Sequence, residues 1–273
     1  MISVVTDSTS DLPRELAARH GIRVVPTNLI VAGKSYEDGT GFTREDFYTR
    51  LPEISPPPTT AAPSSGTFGQ VYTELFAQGT EQIVSIHAAS QLTAIYSAAR
   101  IAAESFENRV HVVDSSSLTL GLGFQALGAA EAIAQGASLP DILHIVENTR
   151  RRVRVIAMLD TLEYLRRSGR VSHLRAALGE VLRLRLFVEV RDGQVVPLER
   201  IRTRNKALAR LGDLLQSLGP LERFAMLHTN AEADARKFIR KHYPDSFLVN
   251  VTPVIGAHVG PNALGYAVVL ADQ

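Results

Sequence analysis

Ile2-Ser3-Val4-Val5-Thr6-Asp7-Ser8-Thr9-Ser10-Asp11-Leu12-Pro13 opens the chain as a β-rich apolar run that breaks directly into an acidic, hydroxyl-rich turn. A helical pattern over 13–20 follows, so the stretch reads as strand, polar turn, helix. The same order returns twice. A strand-like run over 82–86 meets His87-Ala88-Ala89-Ser90-Gln91-Leu92-Thr93 and then a helical pattern over 94–105. A run over 110–113 meets Asp114-Ser115-Ser116-Ser117 and then a helical pattern over 120–135. With a further strand-like run at 22–26, strands separated by helices argue for a parallel α/β sheet. Ligands of open α/β sheets bind outside the carboxyl ends of the strands, where these three clusters would converge. Ser, Thr and Asp are also the favoured helix N-caps, and Asp11-Leu12-Pro13 suits a helix start with Pro in first position. Capping accounts for any one cluster; three at corresponding strand ends point to a shared site.

Further helices are expected over 44–51, 68–77 and 139–150, and Ser55-Pro56-Pro57-Pro58-Thr59-Thr60 marks an extended loop. The last of these helices leads into the apolar stretch 153–159 and a boundary near residue 155, and the second half begins with a helix over 161–167 that Ser168-Gly169 closes. Strand-like runs over 184–190 and 195–201 flank Arg191-Asp192-Gly193-Gln194, a strong hairpin signal. Helices over 205–218 and 231–242 enclose a strand over 223–228, and two strands over 247–254 and 266–270 close the chain. The expectation is two α/β domains, with a mostly parallel sheet in residues 1–155 and a mixed sheet with helices in 156–273.

At 273 residues the chain has length for two real cores, and 45% hydrophobic with 21% charged residues is ordinary globular composition. A net charge of +1 with scattered Lys and Arg leaves no electrostatic footprint for nucleic acid. Arg150-Arg151-Arg152 with Arg154 reads as a solvated helix end. Cysteine is absent, which excludes a disulfide framework, a thiolate nucleophile and a cysteine metal site. No apolar stretch approaches the roughly 20 residues of a membrane span. A strand begins at Ile2, which leaves no room for a signal peptide, so a cytoplasmic location is expected.

The run Ile255-Gly256-Ala257-His258-Val259-Gly260-Pro261-Asn262-Ala263-Leu264-Gly265 reads as a glycine-rich turn between the last two strands. Gly256, Gly260 and Gly265 permit close approaches that a Cβ would block, and His258 is its one group titrating near neutrality. Such a loop suits holding a polar or anionic group. Gly121-Leu122-Gly123-Phe124-Gln125-Ala126 matches the G-x-G-x-x-A dinucleotide pattern, but Asp114 through Leu120 separate it from the preceding strand. These glycines fall inside a helix, where close packing explains them. No Walker loop, G-x-S-x-G elbow, H-E-x-x-H or EF-hand spacing occurs.

Taken in order, Asp7-Ser8-Thr9-Ser10-Asp11-Leu12-Pro13, Thr60-Ala61-Ala62-Pro63-Ser64, Leu92-Thr93-Ala94-Ile95-Tyr96, Asp114-Ser115, Leu162 through Val171 and the closing 255–265 run resemble the DegV family over essentially the whole chain. The resemblance implies two α/β domains with one long-chain fatty acid buried between them. It also implies a non-catalytic, acyl-binding partner of a separate fatty-acid kinase, which phosphorylates the bound carboxyl group, with no cofactor or metal. The family's carboxylate site maps onto Thr60, Thr93 and His258, and its entrance or kinase-facing arginine onto Arg170. Two departures stand out. The family's T-S-Q-P-S appears as Thr60-Ala61-Ala62-Pro63-Ser64, and its L-S-G-T as Leu92-Thr93-Ala94-Ile95. The Thr93 hydroxyl still donates.

The chemistry suits a carboxylate, because a buried charge requires donors to replace its water shell. Two hydroxyls and an imidazole N–H meet that need at about 1.5–3 kcal/mol per charge-assisted bond. The tail contributes more, at about 0.8 kcal/mol per buried CH₂. An alternative reading is a hydrolase or acyltransferase in which a loop Ser or Thr is the nucleophile, His258 the base, and Asp7 or Asp114 its orienting group.

Overall fold

The computed structural model describes residues 1–169, 184–244 and 246–272. In chain order the first part runs β1 (Ile2–Asp7), α1 (Arg14–Arg19), β2 (Arg23–Val25), β3 (Asn28–Val31), β4 (Lys34–Glu37), α2 (Arg44–Arg50) and β5 (Thr59–Ala61). Then come α3 (Ser65–Ala77), β6 (Gln82–His87), α4 (Ile95–Ala103), β7 (Val110–Asp114), α5 (Leu120–Ala134), α6 (Leu139–Arg152), β8 (Val153–Leu159) and α7 (Glu163–Arg167). The remainder is β9 (Arg185–Arg191), β10 (Gln194–Ile201), α8 (Arg204–Ser217), β11 (Leu221–His228), α9 (Glu232–His242), β12 (Phe247–Asn250), α10 (Pro253–Val259) and β13 (Leu264–Leu270).

The strand–turn–helix repeat builds a parallel four-stranded sheet of order β2-β1-β6-β7. The C-terminal sheet is mixed, of order β10-β9-β8-β13-β11-β12, with β11 and β12 its parallel pair. The β9–β10 hairpin forms at the expected place, with Asp192 at φ 50° and Gly193 at φ 77°. Two central residues at positive φ match the right-handed twist of the flanking strands. The boundary expected at residue 155 falls inside β8, all of which belongs to the mixed sheet.

Helix α5 joins the two sheets. It packs against β1 and β6 on one side and β8 and β13 on the other. Leu122, Phe124 and Leu127 therefore share one apolar core with Val4 and Val84 of the first sheet and with Val155, Leu227 and Val269 of the second. The close approach explains the glycines of its first turn: a Cβ on Gly123 would stand 2.7 Å from the Ser10 carbonyl oxygen. The other face of the mixed sheet presents Met158, Phe187, Met226 and Tyr266 to α8 and α9. Strand alternation produces this division, since successive residues of β13 point to opposite cores.

A third, three-stranded antiparallel sheet, β4-β3-β5, forms a flap together with α2. It replaces part of the loop expected over 55–60, because Thr59 and Thr60 pair with Ile30 and Leu29. The closing region differs as well. The strand expected over 247–254 ends at Asn250, because Thr252 caps Val254 N with its hydroxyl and Pro253 starts α10. His258 therefore rides on a short helix, and the turn proper is confined to residues 260–263.

Candidate functional site

Thr60 lies on β5 of the flap and His258 in the last turn of α10, 198 residues apart in sequence, yet Thr60 Oγ1 and His258 Nε2 are 2.9 Å apart. Thr93 follows β6 in a loop whose turn is set by Leu92 N and Thr93 N donating to the Ala89 carbonyl. All three side chains are half-buried and line one cavity of about 280 Å³. Thr9 and Thr27 line it too, and neither is among the residues singled out from the sequence. The Thr9 hydroxyl belongs to the opening acidic motif, which was the available signal. Besides Thr93, the positions that depart from the family pattern, Ala61, Ala62, Ala94 and Ile95, also line this cavity and add apolar surface to its wall.

Leu118, Leu165, Val195, Ile255 and Val259 border both this cavity and a second one of about 90 Å³. The second chamber lies against the mixed sheet, lined by Val155, Ala157, Val188, Val190 and Gly265 among others. The two therefore adjoin across these five side chains, one with a hydroxyl-and-imidazole end and the other apolar. On the opposite side Thr60 and His258 also border a polar outer cavity of about 690 Å³, walled by the 52–60 loop and by Tyr164, Arg167 and Ser168. The Thr60–His258 pair thus stands between this polar space and the more apolar inner cavity.

Two aromatic rings set the position of α10. A Cβ on Gly256 would lie 2.4 Å from the Tyr48 ring, and one on Gly260 would lie 2.3 Å from the Tyr164 ring. Tyr48 is 1% exposed and its hydroxyl donates to the Val251 and Thr252 carbonyls at 2.8 and 3.2 Å. Asp11 adds a further tie. It sits at φ 55° and does not cap α1, as the sequence suggested; its Oδ1 accepts from Thr252 N at 2.8 Å and lies 3.0 Å from Arg44. Burial pushes the Asp11 carboxyl up to about 6, against the opposing pull of the Arg44 guanidinium. The Thr252 hydroxyl donates to Asp38 at 2.6 Å, so flap, first sheet and α10 meet in one polar joint.

Beneath the cavity floor lies a fully buried polar chain. Asp7 Oδ2 accepts from His87 Nδ1 at 3.1 Å and from Ala88 N at 3.2 Å, while Asp7 Oδ1 accepts from Thr9 N at 3.0 Å. His87 Nε2 lies 2.7 Å from Ser85 Oγ, which lies 2.9 Å from the Tyr72 hydroxyl. The Asp, His and Ser of this array are each 0% exposed, and Ser85 lines neither the inner chambers nor the outer cavity. Asp114 accepts from Ser90 N and Ser116 N. Both carboxylates considered as orienting groups for His258 thus hold other partners. Arg170 lies outside the described residues. No helix among the described residues is long and apolar enough to cross a membrane.

The fold and site together define a class: an α/β protein of two main sheets with an apolar cavity that ends in hydroxyls and an imidazole. The family model described as "Uncharacterised protein, DegV family" matches residues 1–271. Protein DegV of Bacillus subtilis is 35% identical over 274 residues, covering 97% of each chain. A solved DegV family protein from Thermus thermophilus, described by its fatty acid binding, superposes with a TM-score of 0.91 at 31% identity, covering 99% of both chains. The structure of Bacillus subtilis DegV, described as a fatty acid binding protein, superposes with a TM-score of 0.88 at 33% identity, again covering 99% of both. The chain belongs to the DegV family.

Proposed function

We propose that the chain binds a long-chain fatty acid, non-catalytically, with the carboxylate at Thr60, Thr93 and His258 and the acyl chain running past Leu118 and Ile255 into the apolar chamber. The observation that carries this reading is the shared wall of two adjoining chambers, with polar groups gathered in one and apolar side chains lining the other. On binding, the Thr60 hydroxyl and the His258 ring exchange their mutual hydrogen bond for bonds to the ligand, and Thr93 supplies a further donor. The tail supplies most of the affinity and the head group fixes its direction.

In the same reading the bound acid is presented, in the cytoplasm, to a separate fatty-acid kinase. The Thr60–His258 pair borders the outer cavity, which supports access to the carboxylate from outside. Arg170 is proposed to face that kinase. Titration with a fluorescent or isotope-labelled fatty acid, with His258→Ala and Thr93→Ala as comparisons, tests the assignment. Unchanged acyl affinity and unchanged kinase-dependent phosphorylation in both variants would refute the head-group set.

A further inference from the structure

The opening acidic and hydroxyl-rich motif contributes little to the head-group set, and its bonds sort by direction. Asp7 and Thr9 bond to each other, and Asp7 to His87. Ser8, Asp11 and Arg14, spaced three residues apart, instead reach the flap or the segment that leads into α10. Ser8 Oγ lies 2.7 Å from Thr27 Oγ1 and accepts from Thr27 N at 3.1 Å, at the entry to β3. Asp11 accepts from Thr252 N and pairs with Arg44 of α2. Arg14 Nη2 donates to the Gly39 carbonyl at 3.2 Å.

The partners of these three residues belong to one body. The flap and α10 share an apolar core of their own, in which Leu29, Phe47, Tyr48 and Leu51 pack on Val254 and Ala257, with Tyr164 of α7 at its edge. Among the described residues none from β1, β6 or β7 enters this core. Ile255 and Val259 pack instead against the neighbouring apolar clusters, and both line the inner cavity. Thr60 and His258 ride together on the flap and α10, whereas Thr93 faces the same cavity from the loop after β6. The cavity thus lies along the seam between a separately cored body and the first sheet. The joints that the opening motif makes across this seam are hydrogen bonds and an ion pair. Water replaces such bonds at small net cost, whereas an apolar core opens only by exposing its buried area. The seam therefore opens before either core does.

We propose that Ser8, Asp11 and Arg14 form a clasp on a lid made of the flap and α10, and that a fatty acid enters and leaves the inner cavity when the clasp releases and the lid tilts away from Thr93. This rests on the fatty-acid reading of the inner chambers and adds the route by which the ligand is exchanged. Closing the lid assembles the head-group set, because it carries Thr60 and His258 up to Thr93.

The chain has no cysteine, so a disulfide can be set across the seam without a competing thiol. Ser8→Cys with Thr27→Cys places two sulfurs where hydroxyls now lie 2.7 Å apart, close to the roughly 2.05 Å of an S–S bond. Each protein is loaded with isotope-labelled hexadecanoate and chased with the unlabelled acid. The oxidised double variant is expected to release the label about tenfold or more slowly than the same protein after reduction. Ser8→Ala removes both bonds to Thr27 from outside the cavity lining. It is expected to release the label about two- to tenfold faster than the parent. Release at one rate in the oxidised and reduced forms, with the bond confirmed by mass, or an unchanged rate in Ser8→Ala, would overturn the clasp. Hydrogen exchange of the ligand-free parent reads the lid without a ligand: the amides of β3, β5 and α10 should open as one group, ahead of β1 and β6. Protection of α10 at the level of β1 would overturn the lid. A parent that takes up no hexadecanoate while the flap and α10 open together would overturn the fatty-acid reading and support the lid.

Discussion

Replacing Gly256 by alanine is expected to destabilise the protein although the residue lies inside a helix, where alanine is ordinarily the better choice by about 1 kcal/mol. The added Cβ would stand 2.4 Å from both Cε1 and Oη of Tyr48 and 2.6 Å from Cζ. Tyr48 has nowhere to retreat: it is 1% exposed, holds the Val251 and Thr252 carbonyls, and its ring stands edge-on to Phe47 at 5.4 Å. Overpacking of this type costs about 1–3 kcal/mol. Loss of the buried tyrosine hydrogen bonds adds about 1–3 kcal/mol if the ring is displaced. Against the propensity gain, the net loss with the ring displaced is about 1–5 kcal/mol. Gly128→Ala is the matched comparison, since the nearest atoms to its Cβ, on Ile145 and Thr149, lie at 3.7 Å, an ordinary contact. That variant should gain about 0.5–1 kcal/mol. Chemical denaturation of both variants beside the parent reads the two signs, and lipid titration of Gly256→Ala should show weakened binding because His258 moves with α10. If Gly256→Ala is as stable as the parent, or gains as Gly128→Ala does, Tyr48 does not fix α10 and the account of how His258 is positioned fails.

Thr60→Val removes the hydroxyl that meets His258 while keeping the shape of the side chain, and should weaken fatty-acid binding by about 1.5–3 kcal/mol in calorimetric titration without lowering stability. Val195→Phe fills space where the two chambers share a wall and should shorten the acyl chains that co-purify, read by mass spectrometry; an unchanged chain distribution would place the ligand elsewhere. Asp11 predicts a pH dependence. Its carboxyl is raised from 3.8 to about 6, so the folded chain holds the proton more tightly, and the associated stability is present below about pH 4 and lost as pH rises through about 6. The stability difference between parent and Asp11→Asn should therefore fall across that window, by up to about 3 kcal/mol. A difference that stays flat with pH would contradict the burial argument.

The parallel sheet was legible because Ile2 through Val5 and its counterparts alternate with helical periods and end in hydroxyl clusters, a local pattern that tertiary packing reinforces. The flap was not. Lys34-Ser35-Tyr36-Glu37 is a mostly exposed, polar strand, and Thr59-Thr60-Ala61 follows a run of prolines, so neither carries an apolar alternation. The closing helix was missed because Phe247 through Val251 is mostly apolar and strand-like, and only Thr252-Pro253 marks the change of structure. The family pattern brought out His258 and Thr60, which the structure places 2.9 Å apart, but it carried no signal for their helix and strand settings. The Asp11–Thr252 bond joins residues 241 apart in sequence, and no local signal reports it. Asp11 resembled a helix cap because Asp before Leu-Pro is a common cap; the left-handed backbone at that residue turns its carboxyl toward the second sheet instead.

The central claim is that the two inner chambers hold a fatty acid with its carboxylate at Thr60, Thr93 and His258. Denaturing extraction of the purified protein followed by quantitative mass spectrometry tests it most directly. The account predicts about one fatty acid per chain from the parent and a clearly reduced amount from His258→Ala. An empty parent protein that also fails to take up fatty acid on titration would contradict it.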